Sequence, residues 1–98
     1  MVVEMQREMV GSEVYQYFPL GKYVVAAPGV CGGRPTFKYT RLEVSLILSR
    51  IASGEPLNEL IAAYGQSRLS REAVQEAIQL ADEALMQAAH SLQVVAMA

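Results

Sequence analysis

Apolar and polar positions change their spacing along the chain, and the change predicts strands first and helices afterwards. Aromatic and β-branched runs at 14–18 and 23–26, separated by a turn at 19–21, are typical of two short strands. Two prolines and three glycines within 28–35 exclude regular structure in that segment. Residues 36–37 are then predicted to pair back as a very short third strand.

From position 40 onward, apolar residues recur at the spacing of a helix in three segments. The first helix is predicted to begin at a capping box formed by Thr40 and Glu43 and to end at Gly54. The second follows Pro56, which suits a first helical turn, and ends at Gly65. The predicted fold is therefore mainly α-helical, with short N-terminal strands or a hairpin before the helices.

The third predicted helix begins after Ser70, a good N-cap residue, and extends to about position 91. Together with the second helix and a turn at 65–69, it has the proportions of a helix-turn-helix, whose second helix enters the DNA major groove. The residues placed to meet DNA are Arg68, Arg71 and Gln75. The alternative is a plain three-helix core, because carboxylates on the exposed face of the third helix repel DNA phosphates.

The length of 98 residues fits one folded domain. We divide the chain into an N-terminal arm with a short strand, residues 1–22, and a single trihelical domain with an extended C-terminal helix, residues 23–98. Both ends are apolar, and because exposed apolar patches mark interaction sites, they predict a homo-oligomer, most simply a dimer. No apolar run is long enough to cross a bilayer and no signal peptide is recognisable, so a cytoplasmic protein without membrane contact is expected.

Charge is distributed unevenly, although the formal net charge is only −2. Residues 22–41 hold four cations and no acid, whereas residues 72–98 hold four acids and no lysine or arginine. Three of the cations, Arg34, Lys38 and Arg41, surround the glycine-rich loop and are predicted to form an anion-binding site. The alternative is a tight structural hairpin that carries ordinary surface cations.

The acidic C-terminal segment also supports a function without nucleic acid. Its carboxylates would attract a basic partner, and its apolar end offers a contact surface. We therefore keep a second hypothesis, a protein-interaction module that binds through the acidic last helix and the apolar termini.

Residues able to carry catalysis or hold a metal are few. Cys31 is the single cysteine and His90 the single histidine, and they are remote from each other in the sequence. A nucleophilic cysteine needs a nearby base, and a zinc site needs three or four ligands. No catalytic constellation, metal site or cofactor is therefore predicted, and the protein is not expected to be an enzyme.

The glycine-rich loop and the helical segments after it resemble a bacterial family, domain of unknown function 433. The resemblance is carried by Cys31-Gly32-Gly33-Arg34-Pro35, by Thr40-Arg41-Leu42 and by Leu69-Ser70-Arg71-Glu72-Ala73-Val74, and it covers about residues 23 to 85. Tyr39 and Glu43 depart from the family pattern, which has glycine and proline there.

The resemblance implies a homeodomain-like three-helix fold. It also implies an antitoxin component of a toxin-antitoxin pair, with a ribonuclease toxin and the DNA of its own operon as partners. Our first hypothesis is thus a DNA-binding regulator or antitoxin.

Overall fold

The computed structural model describes residues 4–97, so the apolar positions 1–3 and 98 lie outside the described residues. Four strands come first in the chain and three helices follow. The strands are β1 (Gln6–Val10), β2 (Glu13–Pro19), β3 (Val24–Ala26) and β4 (Pro35–Phe37). The helices are α1 (Val44–Ala52), α2 (Leu57–Ala63) and α3 (Arg71–Met97), with short 3-10 turns at Cys31–Gly33 and Gly65–Ser67. Among the helices described, none combines the length and apolar character that a bilayer-spanning segment requires.

The prediction of a mainly α-helical protein with a homeodomain-like three-helix core is wrong. About 50% of the residues are helical and 21% lie in strands, which form one four-stranded antiparallel sheet. The reason lies in the core, where Val24 of β3 and Phe37 of β4 are buried together with Ile47 and Val74 of the helices. The helices thus pack on a sheet as well as on one another, and the strands are an integral layer of the fold.

The sheet is an antiparallel meander in the order β1-β2-β3-β4. Strands β1 and β2 form a hairpin in which Val10 pairs with Glu13 across a two-residue turn. Gly11 takes the positive φ of 64° that such a turn requires. All three strands that the sequence predicts are confirmed. Strand β1 escapes prediction because four of its five residues are exposed, so it carries no alternation of apolar and polar positions.

The main core lies between strands β3 and β4 and helices α1 and α3. Its buried members are Val24, Phe37, Leu42, Val44, Ile47, Leu69, Ala73, Val74 and Ala77. A smaller cluster of Tyr17, Val25 and Ala27 links β2 to β3 and the residue after it. Burial of a large apolar side chain stabilises a protein by roughly 1.5 to 3 kcal/mol, so we expect the sheet-helix layer to supply most of the stability.

Different side chains set the starts of α1 and α3. Thr40 does not cap α1, because its hydroxyl donates to the Phe37 carbonyl at 2.7 Å and accepts from the Leu42 amide at 3.0 Å. The predicted capping box is therefore wrong, and Thr40 closes the turn after β4. The prediction for α3 is confirmed, since the Ser70 hydroxyl accepts a hydrogen bond from the Ala73 amide at 3.1 Å. Helix α3 also extends past its predicted end.

One carboxylate of α3 ties that helix to the turn between β2 and β3. Glu76 Oε1 accepts hydrogen bonds from the amides of Tyr23 at 2.7 Å and Val24 at 3.0 Å. Its Oε2 accepts a third from the amide of Lys22 at 2.9 Å. Gly21 lies against the carboxylate, and a Cβ at that position would overlap it. A residue that the sequence places on a solvated acidic face is therefore a structural acceptor for three backbone groups.

We expect Glu76→Ala to lower the free energy of unfolding by about 2 to 4 kcal/mol, because three amides lose a charged acceptor. Urea unfolding followed by circular dichroism measures this loss. Glu83→Ala is the matched control, since it removes the same charge from an exposed position of α3. Its effect should stay below about 0.5 kcal/mol, and an equal loss in both variants would contradict the role of Glu76.

Gly21→Ala extends the same prediction to the turn. Its new Cβ displaces the carboxylate from the three amides, so it destabilises the native chain. In the Glu76→Ala background the substitution has nothing to displace and should cost much less. The double-mutant cycle is expected to show a coupling of about 1 kcal/mol or more, whereas additive losses would mean that the two residues act separately.

Candidate nucleic-acid interface

A shallow groove collects cations and aromatic rings from three separate segments of the chain. It is lined by Lys22, Tyr23, Phe37, Lys38, Tyr39, Arg68 and Ala73, and its volume is about 340 Å³. Three of these seven residues are cationic and none is acidic. Cations beside aromatic faces bind phosphates and stack bases, so this basic-aromatic groove is the candidate site.

Local folding brings the groove residues together. Lys22 and Tyr23 belong to the turn whose amides Glu76 binds. Lys38 directly follows β4, and its amide donates to the Tyr23 carbonyl at 2.8 Å. Arg68 ends the 3-10 turn before α3. The side chains of Lys22 and Arg68 are exposed, so a ligand in the groove has access to both charges.

Backbone strain is concentrated at two residues of the groove. Three non-glycine residues of the described chain have positive φ, and two of them are Tyr39 at 68° and Arg68 at 59°. Residues other than glycine rarely adopt this left-handed backbone conformation. The Arg68 guanidinium carbon lies 5.7 Å from the centre of the Tyr39 ring, within the range of a cation-π interaction. Strained residues tend to occur at functional sites, so their pairing supports the assignment of the groove.

A cluster of tyrosines around one carboxylate holds Tyr39 in place. The Tyr39 amide donates to the Tyr15 hydroxyl at 3.1 Å, and the Tyr39 hydroxyl donates to Glu8 at 2.9 Å. Tyr17 also donates to Glu8, and Lys38 Nζ lies 3.4 Å from the same carboxylate. The rings of Tyr15 and Tyr39 are 5.3 Å apart. The N-terminal hairpin thus reaches the groove and supports it.

Hydrogen bonds within this cluster shift three pKa values. The Tyr17 hydroxyl, followed by that of Tyr39, holds the pKa of Glu8 below its ordinary value. The same bond with Glu8 raises the pKa of Tyr17. Contact with Tyr17 also raises the pKa of Lys38. At neutral pH the cluster therefore holds a charged Glu8 and a charged Lys38, and this ion pair cancels part of the positive charge of the groove.

The fold separates the three cations predicted to form an anion site around the glycine-rich loop. Arg34 is bound to Glu43, with Nε 2.5 Å from Oε1, and this contact lowers the pKa of Glu43. Lys38 belongs to the basic-aromatic groove. Arg41 lines a different hollow of about 490 Å³ between the β1–β2 hairpin and the loop at 28–30. Anion binding by these three residues stays a prediction, and Lys38 alone of them joins the groove.

The residues predicted to meet DNA occupy two places. Arg68 lies in the groove. Arg71 at the start of α3 donates from Nη2 to Asn58 Oδ1 at 2.8 Å, which links α3 to α2. Gln75 is exposed one turn further along α3. Their contact with DNA stays a prediction, and Arg68 is the member of the set that has cationic neighbours in the groove.

The two residues with nucleophilic or metal-binding chemistry occupy different environments. Cys31 donates through Sγ to the Arg41 carbonyl at 3.4 Å. His90 lies on an exposed part of α3. Within the described residues, no group of three or more histidine, cysteine or acidic side chains is arranged to hold a metal ion.

Sequence reasoning missed Lys22, Tyr23 and Glu8 as site residues. One signal was present, because Lys22-Tyr23 and Lys38-Tyr39 are the same dipeptide placed after a turn and after a strand. Each dipeptide combines a cation with an aromatic ring, the two kinds of side chain that nucleic-acid sites bring together. Glu8 gave no comparable signal, since its partners come from other strands.

A protein-family model agrees with the resemblance found in the sequence. The model described as Protein of unknown function (DUF433) matches residues 24–81, more than half of the chain. The chain belongs to this family. The curated proteins and the solved structures gave no significant match. The DUF433 segment contains Lys38, Tyr39 and Arg68, whereas Lys22, Tyr23 and the N-terminal hairpin precede it.

The lowered pKa of Glu8 makes the hairpin of this DUF433 protein sensitive to acid. A carboxylate whose pKa is depressed by folding contributes stability above its ordinary pKa, and the contribution is lost as the pH falls through the folded-state value. We expect the melting temperature of the native chain to fall as the pH drops through 4.5, the ordinary pKa of this carboxyl, and below it, and to fall less in Glu8→Gln. Differential scanning fluorimetry at each pH gives the comparison.

The control for the acid sensitivity is Glu13→Gln, which makes the same change at an exposed position of β2. This variant should keep the pH dependence of the native chain. Identical profiles for the native chain and Glu8→Gln would exclude Glu8 as a source of the acid sensitivity.

Proposed function

We propose that this DUF433 protein is a non-enzymatic regulator of the antitoxin type that binds the DNA of its own operon through the basic-aromatic groove. The observation that carries the proposal is the convergence of Lys22, Lys38 and Arg68 beside the rings of Tyr23 and Tyr39, without an acid in the lining. Backbone phosphates would meet Lys22 and Arg68, while Lys38, which is paired with Glu8, would contribute less charge. The partly exposed rings would contact sugars or bases.

The acidic net charge does not oppose this function. Attraction of DNA depends on the local field, and a charge is screened beyond about 8 Å at physiological ionic strength. The groove combines charges from three segments that the sequence keeps apart, at positions 22, 38 and 68. Local charge rather than the sum over the chain therefore governs the encounter with DNA.

The groove offers DNA a better contact than the exposed side of α3. Glu72 and Glu83 are exposed on that helix, and their carboxylates repel phosphates. Glu76 is engaged by the β2–β3 turn and is not free to contact a base. Arg71 and Gln75, near the start of α3, are placed to add flanking contacts in this proposal, with Arg68 as the principal one.

We expect Lys22→Glu and Arg68→Glu each to weaken binding of a fluorescent duplex from the native promoter, because each repels a phosphate that it formerly attracted. Fluorescence anisotropy at several salt concentrations measures the effect. The loss should reach about tenfold, and the slope of log affinity against log salt should fall by about 1 for each lost contact.

Two further variants make this test specific. Arg7→Glu reverses a charge at an exposed position of β1 outside the groove and should leave the affinity nearly unchanged. Tyr39→Gly introduces the glycine of the family pattern, suits the positive φ and removes the ring, so it should cost about 1 to 3 kcal/mol of binding without a change in charge. Equal losses in Arg7→Glu and Arg68→Glu, or no salt-dependent complex, would refute the proposal.

A second candidate function is that of a protein-interaction module for a basic partner such as a ribonuclease toxin. The observation that favours it is the exposure of every residue from 82 to 93 on α3, with Asp82 and Glu83 at the start of this stretch. An exposed acidic helix is suited to a positively charged partner surface.

We expect the product of the neighbouring gene to co-purify with the full chain and to be lost when the chain is truncated after Leu85. Asp82→Lys combined with Glu83→Lys should weaken the complex and remove its salt dependence, because it reverses the charge that attracts a basic surface. Co-expression followed by affinity purification measures retention. A complex that survives both changes would assign the contact to another surface.

A further inference from the structure

The C-terminal part of α3 extends away from the core. Its buried residues end early, at Ala73, Val74 and Ala77, and every side chain from 82 to 93 is exposed. Helices in proteins gain most of their stability from packing an apolar face, and a helix without such packing is marginal in water. The exposed part of α3 therefore lacks the contact that ordinarily stabilises a helix.

Helix α3 carries an apolar stripe with heptad spacing that runs from residue 78 into its exposed part. Ile78, Leu85 and Leu92 are seven residues apart, and Ala81 and Ala88 each follow three positions after one of them. These are the a and d positions of a coiled coil. Leu85 and Leu92 are both 70% exposed. The stripe continues, beyond the core, the side of the helix that is buried nearer its start.

We propose that a second copy of this chain covers the stripe, with the two α3 helices antiparallel about a two-fold axis between positions 86 and 87. In this register Leu85 packs against Ala88 of the partner subunit, and Leu92 packs against Ala81 of the partner subunit. In both of these layers a leucine meets an alanine, so the layers are filled and the helices approach closely. The surface is self-complementary, as a two-fold interface requires.

The parallel arrangement of the same helices packs poorly. Leucine would face leucine at positions 85 and 92, and alanine would face alanine at positions 81 and 88. Leucine layers hold the two helices further apart than alanine layers can fill. The gaps between the alanines then lose dispersion contacts. The alternation of large and small residues therefore selects the antiparallel pair.

Charge selects the same orientation. Asp82 and Glu83 are the acids of the exposed part of α3. The antiparallel register places Asp82 across from Ser91 of the partner subunit, nine positions from the partner's Asp82. Nine residues of helix span roughly 13 Å, which exceeds the Debye length of about 8 Å at physiological salt. A parallel pair would place the two Asp82 side chains at the same level of the dimer.

Sedimentation velocity of the full chain, from about 1 µM to about 1 mM, tests the interface. The native chain is expected to form a dimer, and Leu85→Glu combined with Leu92→Glu to raise its dissociation constant about 100-fold or more, because charges enter the centre of the contact. Both positions are exposed, so the circular dichroism of the folded part should persist. Gln79→Glu combined with Gln87→Glu adds the same charge on the other side of the helix and should leave the dimer intact.

Other outcomes of the sedimentation experiment overturn the proposal. A native chain that stays monomeric throughout would exclude the pair. The β1–β2 hairpin also exposes apolar side chains, with Met9 at 67% and Val14 at 56%. A dimer that is lost in Met9→Glu combined with Val14→Glu, but kept in the double leucine variant, would assign the contact to the hairpin.

Disulfide trapping tests the orientation, in a Cys31→Ser background that leaves no native thiol. Ala81→Cys and Leu92→Cys chains are oxidised separately and as a mixture in which one chain carries a size tag. The antiparallel pair predicts covalent dimers of mixed composition only, since identical positions lie more than a disulfide's reach apart. Covalent dimers of each variant alone would demonstrate a parallel pair and refute the proposal. Neither experiment contains nucleic acid, so each outcome is independent of the groove.

Discussion

The acceptance of three backbone amides by Glu76 is the interaction that couples the two halves of this protein. The amides of Lys22, Tyr23 and Val24 in and after the β2–β3 turn donate to the Glu76 carboxylate of α3. Gly21 has no side chain and leaves room for this carboxylate. Val24 and Val74 belong to the same buried core, next to this contact along β3 and α3. The apolar core therefore holds the sheet and the helix together, and the polar contact at its edge sets their relative position.

The basic-aromatic groove follows from that placement. Lys22 and Tyr23 lie in the turn that α3 holds, Lys38 is joined to Tyr23 through its amide, and Arg68 precedes α3. Without the contact between the turn and α3, the apolar core alone would hold Arg68 next to Lys22 and Lys38. The N-terminal part of helix α3 is thus bound to the sheet, whereas its C-terminal part is exposed and carries an apolar stripe.

The sequence predicts the local elements well and their assembly poorly. The strand runs and the N-cap Ser70 depend on neighbours in the chain, and both are confirmed. Strand β1 has no amphipathic pattern in the sequence. It forms because its backbone pairs with β2. Glu76 looks like any solvated carboxylate because its partners lie more than fifty positions away. Of the groove residues, charge alone suggests Arg68 and Lys38, under two separate hypotheses that stay predictions, and both lie beside Tyr39 in the structure.

Tyr39 has a consequence for how the N-terminal hairpin is attached to the family domain. The hairpin precedes the matched segment, and Tyr39 binds two of its residues, Tyr15 and Glu8. A glycine at this position would suit the left-handed backbone and keep the amide that binds Tyr15, but it would lose the hydroxyl that binds Glu8. The Tyr39 side chain therefore adds a contact that fastens the hairpin to the segment matched by the family model, at a residue with a strained backbone.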